Sequence, residues 1–280
     1  MNKHLVLIQC KDKMGLVAGI TNILANYQLN IVTMREFVDE KEQRFFARLS
    51  CSGLIENIDK LQEELQQFLP AKAIVKVVPK EAKSIAVLVT KEFHCLSDIL
   101  VRNYFNTLGA KVKCVIGNYD NLKELSEKLD VPFYHISHED KTKEEFEAQI
   151  IEKLNEYHLD YIVLAKFMRI ISPNFVAQYK HKIINIHHSF LPAFIGASPY
   201  QQAFERGVKI IGATAHFVTN DLDEGPIINQ QTIHVNHTYD AKKMAIAGRE
   251  IEKSVLSKAL ELVFDDRIFV VGNKTIAFES

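Results

Sequence analysis

The chain has 280 residues, 34 of them basic and 35 acidic, for a formal net charge of -1, and 47% are hydrophobic. That length suffices for two domains, or one large one, with a sizeable core. The balanced charge excludes the global basic field that drives binding to nucleic acid or anionic membranes, so small-molecule chemistry is expected. The opening MNKHLVLIQCKDK lacks the long apolar core and small-residue cleavage site of a signal peptide. No apolar run approaches the roughly 18 residues of a membrane span, so a cytoplasmic protein is expected.

Residues 4–9 read as a buried strand, followed by a turn at 11–15 and an amphipathic helix through Leu16, Ile20, Ile23, Leu24 and Tyr27. A strand at 31–34, a charged hairpin tip at 39–42 and a strand at 44–49 follow. Leu54, Ile58, Leu61, Leu65 and Phe68 form an apolar helical stripe that ends at Pro70, and residues 73–78 read as a fourth strand. The order βαββαβ is ferredoxin-like. With D-x-x-G-L after the first strand and N-I-V after the first helix, this segment resembles an ACT domain, a small ligand-sensing module. The resemblance implies an effector site at Asp12, Met14, Gly15, Leu16 and Asn30, binding a small amino acid such as glycine or methionine between paired domains. It equally admits a purely dimerising domain. Gly15 would let a ligand approach the backbone, and the N–H groups of a helix N-terminus suit a carboxylate.

A charged linker at 80–83 separates residues 1–79 from a second domain at 84–280. There, strands at 85–89, 112–116, around 133, at 161–165 and at 183–187 alternate with helices near 98–107, 122–129 and 142–157 and after Pro173. This pattern predicts a doubly wound, mostly parallel α/β sheet. A strand at 208–218, a helix at about 240–263 and a strand pair at 268–271 and 275–278 close the chain. Residues 90–97 read as a loop without glycine, which disfavours a phosphate cradle. Cys10, Cys51, Cys95 and Cys114 show no zinc spacing and read as reduced thiols; Cys95, beside His94 in that loop, is the candidate for a reactive thiol.

The stretch 182–196, KIINIHHSFLPAFIG, ends a strand with Asn185, His187 and His188. Alternation puts Asn185 and His187 on one face and His188 on the other. An amide that donates to an oxyanion and an imidazole that moves protons together suit acyl chemistry at a carbonyl. The plain alternative is a strand end with a few polar residues. Ser172 and Pro173 read as a helix start, which leaves Phe167, Met168, Arg169 and Ile170 to wall an apolar pocket. The acidic turn at 221–226 would, beside a histidine, supply a carboxylate and complete an Asn-His-Asp set.

FMRIISPNF, NIHHSFLP, GATAHFV and LDEGPII, in this order, resemble the formyltransferase catalytic domain that uses 10-formyltetrahydrofolate. With an ACT domain in front, the resemblance narrows to the formyltetrahydrofolate deformylase family and covers essentially the whole chain. It implies catalytic roles for Asn185, His187 and Asp223. Folate contacts would fall on Phe167, Met168, Arg169, Ile170, Leu191, Gly212 and Asp221, within a pocket that includes the 219–223 loop. His188 stands where transferases acting on glycinamide ribonucleotide have proline; with the missing phosphate loop, this implies water as formyl acceptor, and His188, facing the other way on the strand, is expected to have a structural or water-positioning role. Transfer to an amine acceptor is the alternative, and a folate-binding regulator without catalysis a more distant one. No metal or cofactor beyond the folate is expected, and the chain is expected to form a homo-oligomer, a dimer or tetramer.

Overall fold

The computed structural model describes residues 3–193 and 199–279. It divides into two units, Met1–Glu81 and Ala82–Ser280.

The first unit runs β1 (Lys3–Lys11), α1 (Leu16–Asn26), β2 (Asn30–Asp39), β3 (Arg44–Ser52), α2 (Ile58–Phe68) and β4 (Ile74–Pro79), the expected βαββαβ order. Its antiparallel sheet has the order β2-β3-β1-β4. Ile20 and Leu24 of α1 and Leu61 and Leu65 of α2 are buried in one cluster with Val6, Ile8 and Leu49. The second helix begins later than the apolar stripe predicts. Asn57 caps it by accepting from Lys60 N at 2.9 Å, and Leu54, 71% exposed, lies outside it. A side-chain cap fixes the start of a helix more firmly than one further apolar residue can.

The second unit contains β5 (Lys83–Val89), α3 (His94–Tyr104), β6 (Ala110–Gly117), α4 (Lys123–Glu127), β7 (Phe133–His135), α5 (Lys143–Leu154), β8 (Tyr161–Leu164), α6 (Pro173–Gln178) and β9 (Ile183–His187). It continues with α7 (Pro199–Glu205), β10 (Ile210–Phe217), β11 (Ile227–His234), α8 (Ala241–Phe264), and the hairpin of β12 (Ile268–Val271) and β13 (Lys274–Ala277). The seven-stranded sheet has the order β11-β10-β9-β8-β5-β6-β7. From β7 to β9 its pairings are parallel, and β10 is antiparallel to both of its neighbours. Helices α7 and the strand β11 were not read from sequence. Both are short or polar in pattern, and only pairing along β10 reveals β11.

Alternate residues of the central strands serve two cores. Val87, Val163 and Ile184 pack with Val255 and Leu260 of α8. Leu88, Ile162 and Ile183 pack with Phe146, Ile150 and Phe175 on the other face. This two-sided burial explains the continuous apolar runs of β5, β8 and β9. The chain leaves β5 toward β6 on one side and returns to β8 on the other, so a crevice opens beyond the carboxyl ends of β5 and β8, where α/β sheets place their ligands.

One expectation beside that crevice is overturned. Residues 94–97 form the first turn of α3 and not a loop, and Cys95 is buried, its thiol pushed far up mainly by that burial. A thiol so disfavoured as thiolate is not a nucleophile. Cys10, Cys51 and Cys114 are also free and buried.

Candidate active site

Strand β9 carries Asn185 and His187 on the side of Ile183, facing the α5 and α6 layer. Both line a cavity of about 340 Å³ with Asp223 and residues 166–171, a volume within the range of small-ligand sites. Phe167, Met168, Arg169 and Ile170 form one wall, as expected. Phe167 is buried and stacks on Phe146 at 6.4 Å, whereas Met168 and Ile170 are more than half exposed. The segment is tied across the switch point by Met168 N, which donates to Thr90 Oγ1 at 2.9 Å. Ser172 caps α6 by accepting from Phe175 N at 3.2 Å, and its hydroxyl and backbone N–H both donate to the buried Glu147.

Asp223 arrives on the turn after β10, in a left-handed conformation with φ 56°. A side chain on Gly225 would place its Cβ 1.8 Å from Phe217 O, and Phe217 N donates to Pro226 O at 2.9 Å. The glycine therefore lets the turn close directly on the strand end, and this closure brings Asp223 Oδ1 to 3.3 Å from His187 Nδ1. Burial pushes the Asp223 carboxyl up, but hydrogen bonding and charge from His187 outweigh it and hold the group well below the ordinary carboxylate range. It is thus a fixed anion at neutral pH. With Nδ1 turned to Asp223, Nε2 of His187 is buried and without a hydrogen-bond partner among the described residues, an arrangement that suits donation to a ligand in the cavity.

His216, which sequence reading missed, orients the amide. It is the cross-strand partner of Asn185 in the β9–β10 register. His216 Nδ1 lies 3.0 Å from Phe217 O, which can only accept, so that nitrogen donates. Asn185 Nδ2 can only donate, so Nε2 of the same ring accepts from it at 3.2 Å. One amide hydrogen of Asn185 is spent, and the second remains for the cavity. The signal was present in GATAHFV, but only strand pairing sets it beside Asn185.

Three expected folate contacts lie elsewhere. Leu191 is buried, its N–H donating to Thr214 Oγ1 at 3.0 Å and its carbonyl accepting from Gln230 Nε2 at 3.1 Å. Gly212 lies within β10, where a Cβ would come 2.5 Å from Gln231 O; its role is close strand approach. Asp221 sits on the turn with its carbonyl accepting from Thr219 Oγ1 at 3.2 Å; its neighbours Thr219, Asn220, Leu222 and Asp223 line the cavity instead. Of the HHSFLPAFIG stretch, Phe194, Ile195 and Gly196 lie outside the described residues.

His188 corrects a geometric expectation. β9 ends at His187, so strand alternation does not extend to the next residue. The rings of His187 and His188 lie 5.2 Å apart, and both line the cavity.

Behind His188 lies a second cavity of about 440 Å³, shared by Lys166, Met168, Tyr200, Arg249 and Glu252. Glu252 is 1% exposed and accepts from His94 Nε2 at 2.7 Å and Tyr200 Oη at 2.7 Å, with Lys166 Nζ at 3.2 Å. Burial pushes its carboxyl up, and these donors more than reverse that, bringing it down to about 2. Ligating atoms of His94, Cys95 and Glu252 also lie within 4.8 Å of one another. The Glu252 carboxylate is already paired with an ammonium and accepts from two further donors, so these contacts form a buried ion-pair network.

In the first unit, Asp12, Met14 and Gly15 are exposed or half-exposed and Leu16 is buried. Asn30 does not join them. It pairs with Ser52, level with Lys3, while the 12–15 turn follows Lys11, level with Arg44. Eight strand positions, about 26 Å at the usual rise, separate the two. Within one chain they cannot form one small-ligand site.

A wound α/β sheet with an amide, an imidazole and a carboxylate converging at its carboxyl edge defines a catalytic domain of the formyl transferase class. Comparison agrees: the Formyl transferase family model matches residues 83–260, and the ACT domain model matches residues 4–69. The chain is 52% identical to a formyltetrahydrofolate deformylase of Haemophilus influenzae, covering 99% of both chains. It is 51% identical to that of Escherichia coli, over 95% of both. The crystal structure of a formyltetrahydrofolate deformylase from Pseudomonas syringae superposes with a TM-score of 0.95 at 35% identity, covering 100% of this chain and 95% of that one. The chain belongs to the formyltetrahydrofolate deformylase family.

Proposed function

We propose that this chain hydrolyses 10-formyltetrahydrofolate to formate and tetrahydrofolate, supplying both to one-carbon and purine metabolism. The observation that carries the reading is the convergence of Asn185, His187 and Asp223 in one cavity walled by Phe167, Met168, Arg169 and Ile170. Relatives bearing the deformylase name over the full chain support water as the acceptor.

In this mechanism water attacks the formyl carbon and gives up a proton to solvent or a neighbouring base. The free N–H of Asn185 and protonated His187 stabilise the oxyanion, and such preorganised donors are worth far more in a water-poor site than in solution. Asp223 fixes the His187 ring and supports its charge. His187 Nε2 delivers the proton to N10 as the C–N bond breaks. Asn185, His187 and Asp223 supply the oxyanion donors and the proton for N10, and no metal or further cofactor is invoked.

The test is formate release from 10-formyltetrahydrofolate with no acceptor present. Steady turnover supports the hydrolase. Release that requires an added amine would establish the transferase instead, and a stoichiometric yield would establish a folate-binding regulator. Asn185→Ala and His187→Ala should each lower turnover on the order of a hundredfold or more while the fold persists. Among the described residues no helix is long and apolar enough to cross a membrane, which supports a cytoplasmic enzyme. For the ACT unit we propose a small amino-acid effector, glycine or methionine, bound between two copies in a homo-oligomer, because the 12–15 turn and Asn30 can meet only across subunits. Calorimetry showing no amino-acid binding at millimolar concentration would leave the unit a dimerising role alone.

A further inference from the structure

His188 lies at the meeting of three cavities. It lines the catalytic one with His187 and Asn185, the second with Lys166, Tyr200 and Glu252, and a small third one with Ser189 and Phe190. Its ring is held between those of His187, at 5.2 Å, and Tyr200, at 6.5 Å. Tyr200 is itself anchored to Glu252 by its hydroxyl. Among the described residues, neither ring nitrogen of His188 makes a hydrogen bond. Among the described residues the ring is thus positioned by packing with its polar atoms unspent, which is how a group reserved for a ligand or a water is built.

The surrounding charges fix its protonation state. Burial, then the Lys166 ammonium and then His187, push the His188 imidazole down to about 4, against the opposing pull of Glu252 and Asp223. At neutral pH the ring is uncharged and always has one nitrogen free to accept. His187, next to it, instead has the Asp223 carboxylate 3.3 Å from its Nδ1. Of the two adjacent imidazoles one is thus held by an anion, and the other is left open to a ligand or a water.

We propose that His188 is the catalytic residue that holds the attacking water and takes its proton, with Lys166, Tyr200 and Glu252 as the residues that position it. This rests on the hydrolase reading above. As the water oxygen bonds to the formyl carbon, the carbonyl pair moves onto the formyl oxygen at Asn185, and the water proton passes to the free nitrogen of His188. The C–N10 bond then breaks with its electron pair on N10, which takes the proton of His187. His188 returns its proton to His187 through solvent, and formic acid leaves as formate and a proton. Because the His188 ring is a weak base, it accepts only while the attacking oxygen is acidified by bond formation.

The experiment uses the full-length enzyme with 10-formyltetrahydrofolate and no acceptor. His188→Ala should lower kcat about a hundredfold or more, the usual worth of a positioned base, with KM within threefold of the parent. Added imidazole should restore at least tenfold of the loss, and should do nothing for Asn185→Ala. His188→Gln, which keeps a polar side chain of similar reach, guards against misfolding. It should show the same kcat loss with KM and circular dichroism unchanged. Near-parental kcat in either variant overturns the proposal, as does a loss in His188→Ala that imidazole leaves untouched. An unsubstituted enzyme inert without an acceptor would instead sink the hydrolase reading itself, and that result is read before any variant is made.

Discussion

Replacing Asp223 by asparagine tests the charge relation at the centre of the site. The substitution keeps the shape and an acceptor oxygen but removes the negative charge 3.3 Å from His187 Nδ1. Two unit charges at that distance interact by about 5 kcal/mol at an effective dielectric constant near 20. A charge-assisted hydrogen bond nets about 1.5–3 kcal/mol after desolvation. Taking about 3 kcal/mol, kcat should fall about a hundredfold, because the charge is needed when His187 is protonated against the oxyanion. KM should change little, since Asp223 stabilises the reacting state more than the bound substrate. The assay is initial-rate formate release across substrate concentration for the two enzymes. A kcat within threefold of the parent would refute the role assigned to the carboxylate. An unchanged kcat with a large rise in KM would make Asp223 a binding group only.

Gly225→Ala should lower both the melting temperature and kcat, because its Cβ would meet Phe217 O at 1.8 Å. Overpacking of this kind costs about 1–3 kcal/mol, and a normal melting curve would show that the turn can move without penalty. The Glu252 carboxyl is held at about 2 against an ordinary 4.5, so its folded pKa is depressed. Its contribution of about 3 kcal/mol is present above pH 4.5 and lost as pH falls toward 2. Acid unfolding followed by circular dichroism should therefore be shallower over that window in Glu252→Gln, and an unchanged slope would contradict the depressed value. Met168→Ala, at a half-exposed wall position, should raise KM several-fold with kcat unchanged, since it removes contact made equally in ground and transition states. A fall in kcat alone would place Met168 in the chemistry.

The sequence by itself determined the order of elements apart from α7 and β11, the boundary near residue 80, and the pairing of Asn185 with His187 on one face of β9. Each of these follows from local physics: strand alternation, helical periodicity and turn chemistry act over a few residues. Asp223 came from the family resemblance of its motif; glycine and proline marked only the acidic turn that carries it. Tertiary structure alone decided the rest. His216 became the partner of Asn185 only through antiparallel register, and Glu252, on a helix 65 residues beyond His187, reached His188 only when α8 packed on the sheet. The same limit explains the misplacements. Leu191 and Gly212 neighbour site residues in sequence but are claimed by strand packing. Asn30 and the 12–15 turn read as one motif yet stand at opposite ends of a sheet. His188 was assigned to the far face by an alternation that holds only while the strand lasts; the strand stops one residue earlier, and the ring turns back into the site.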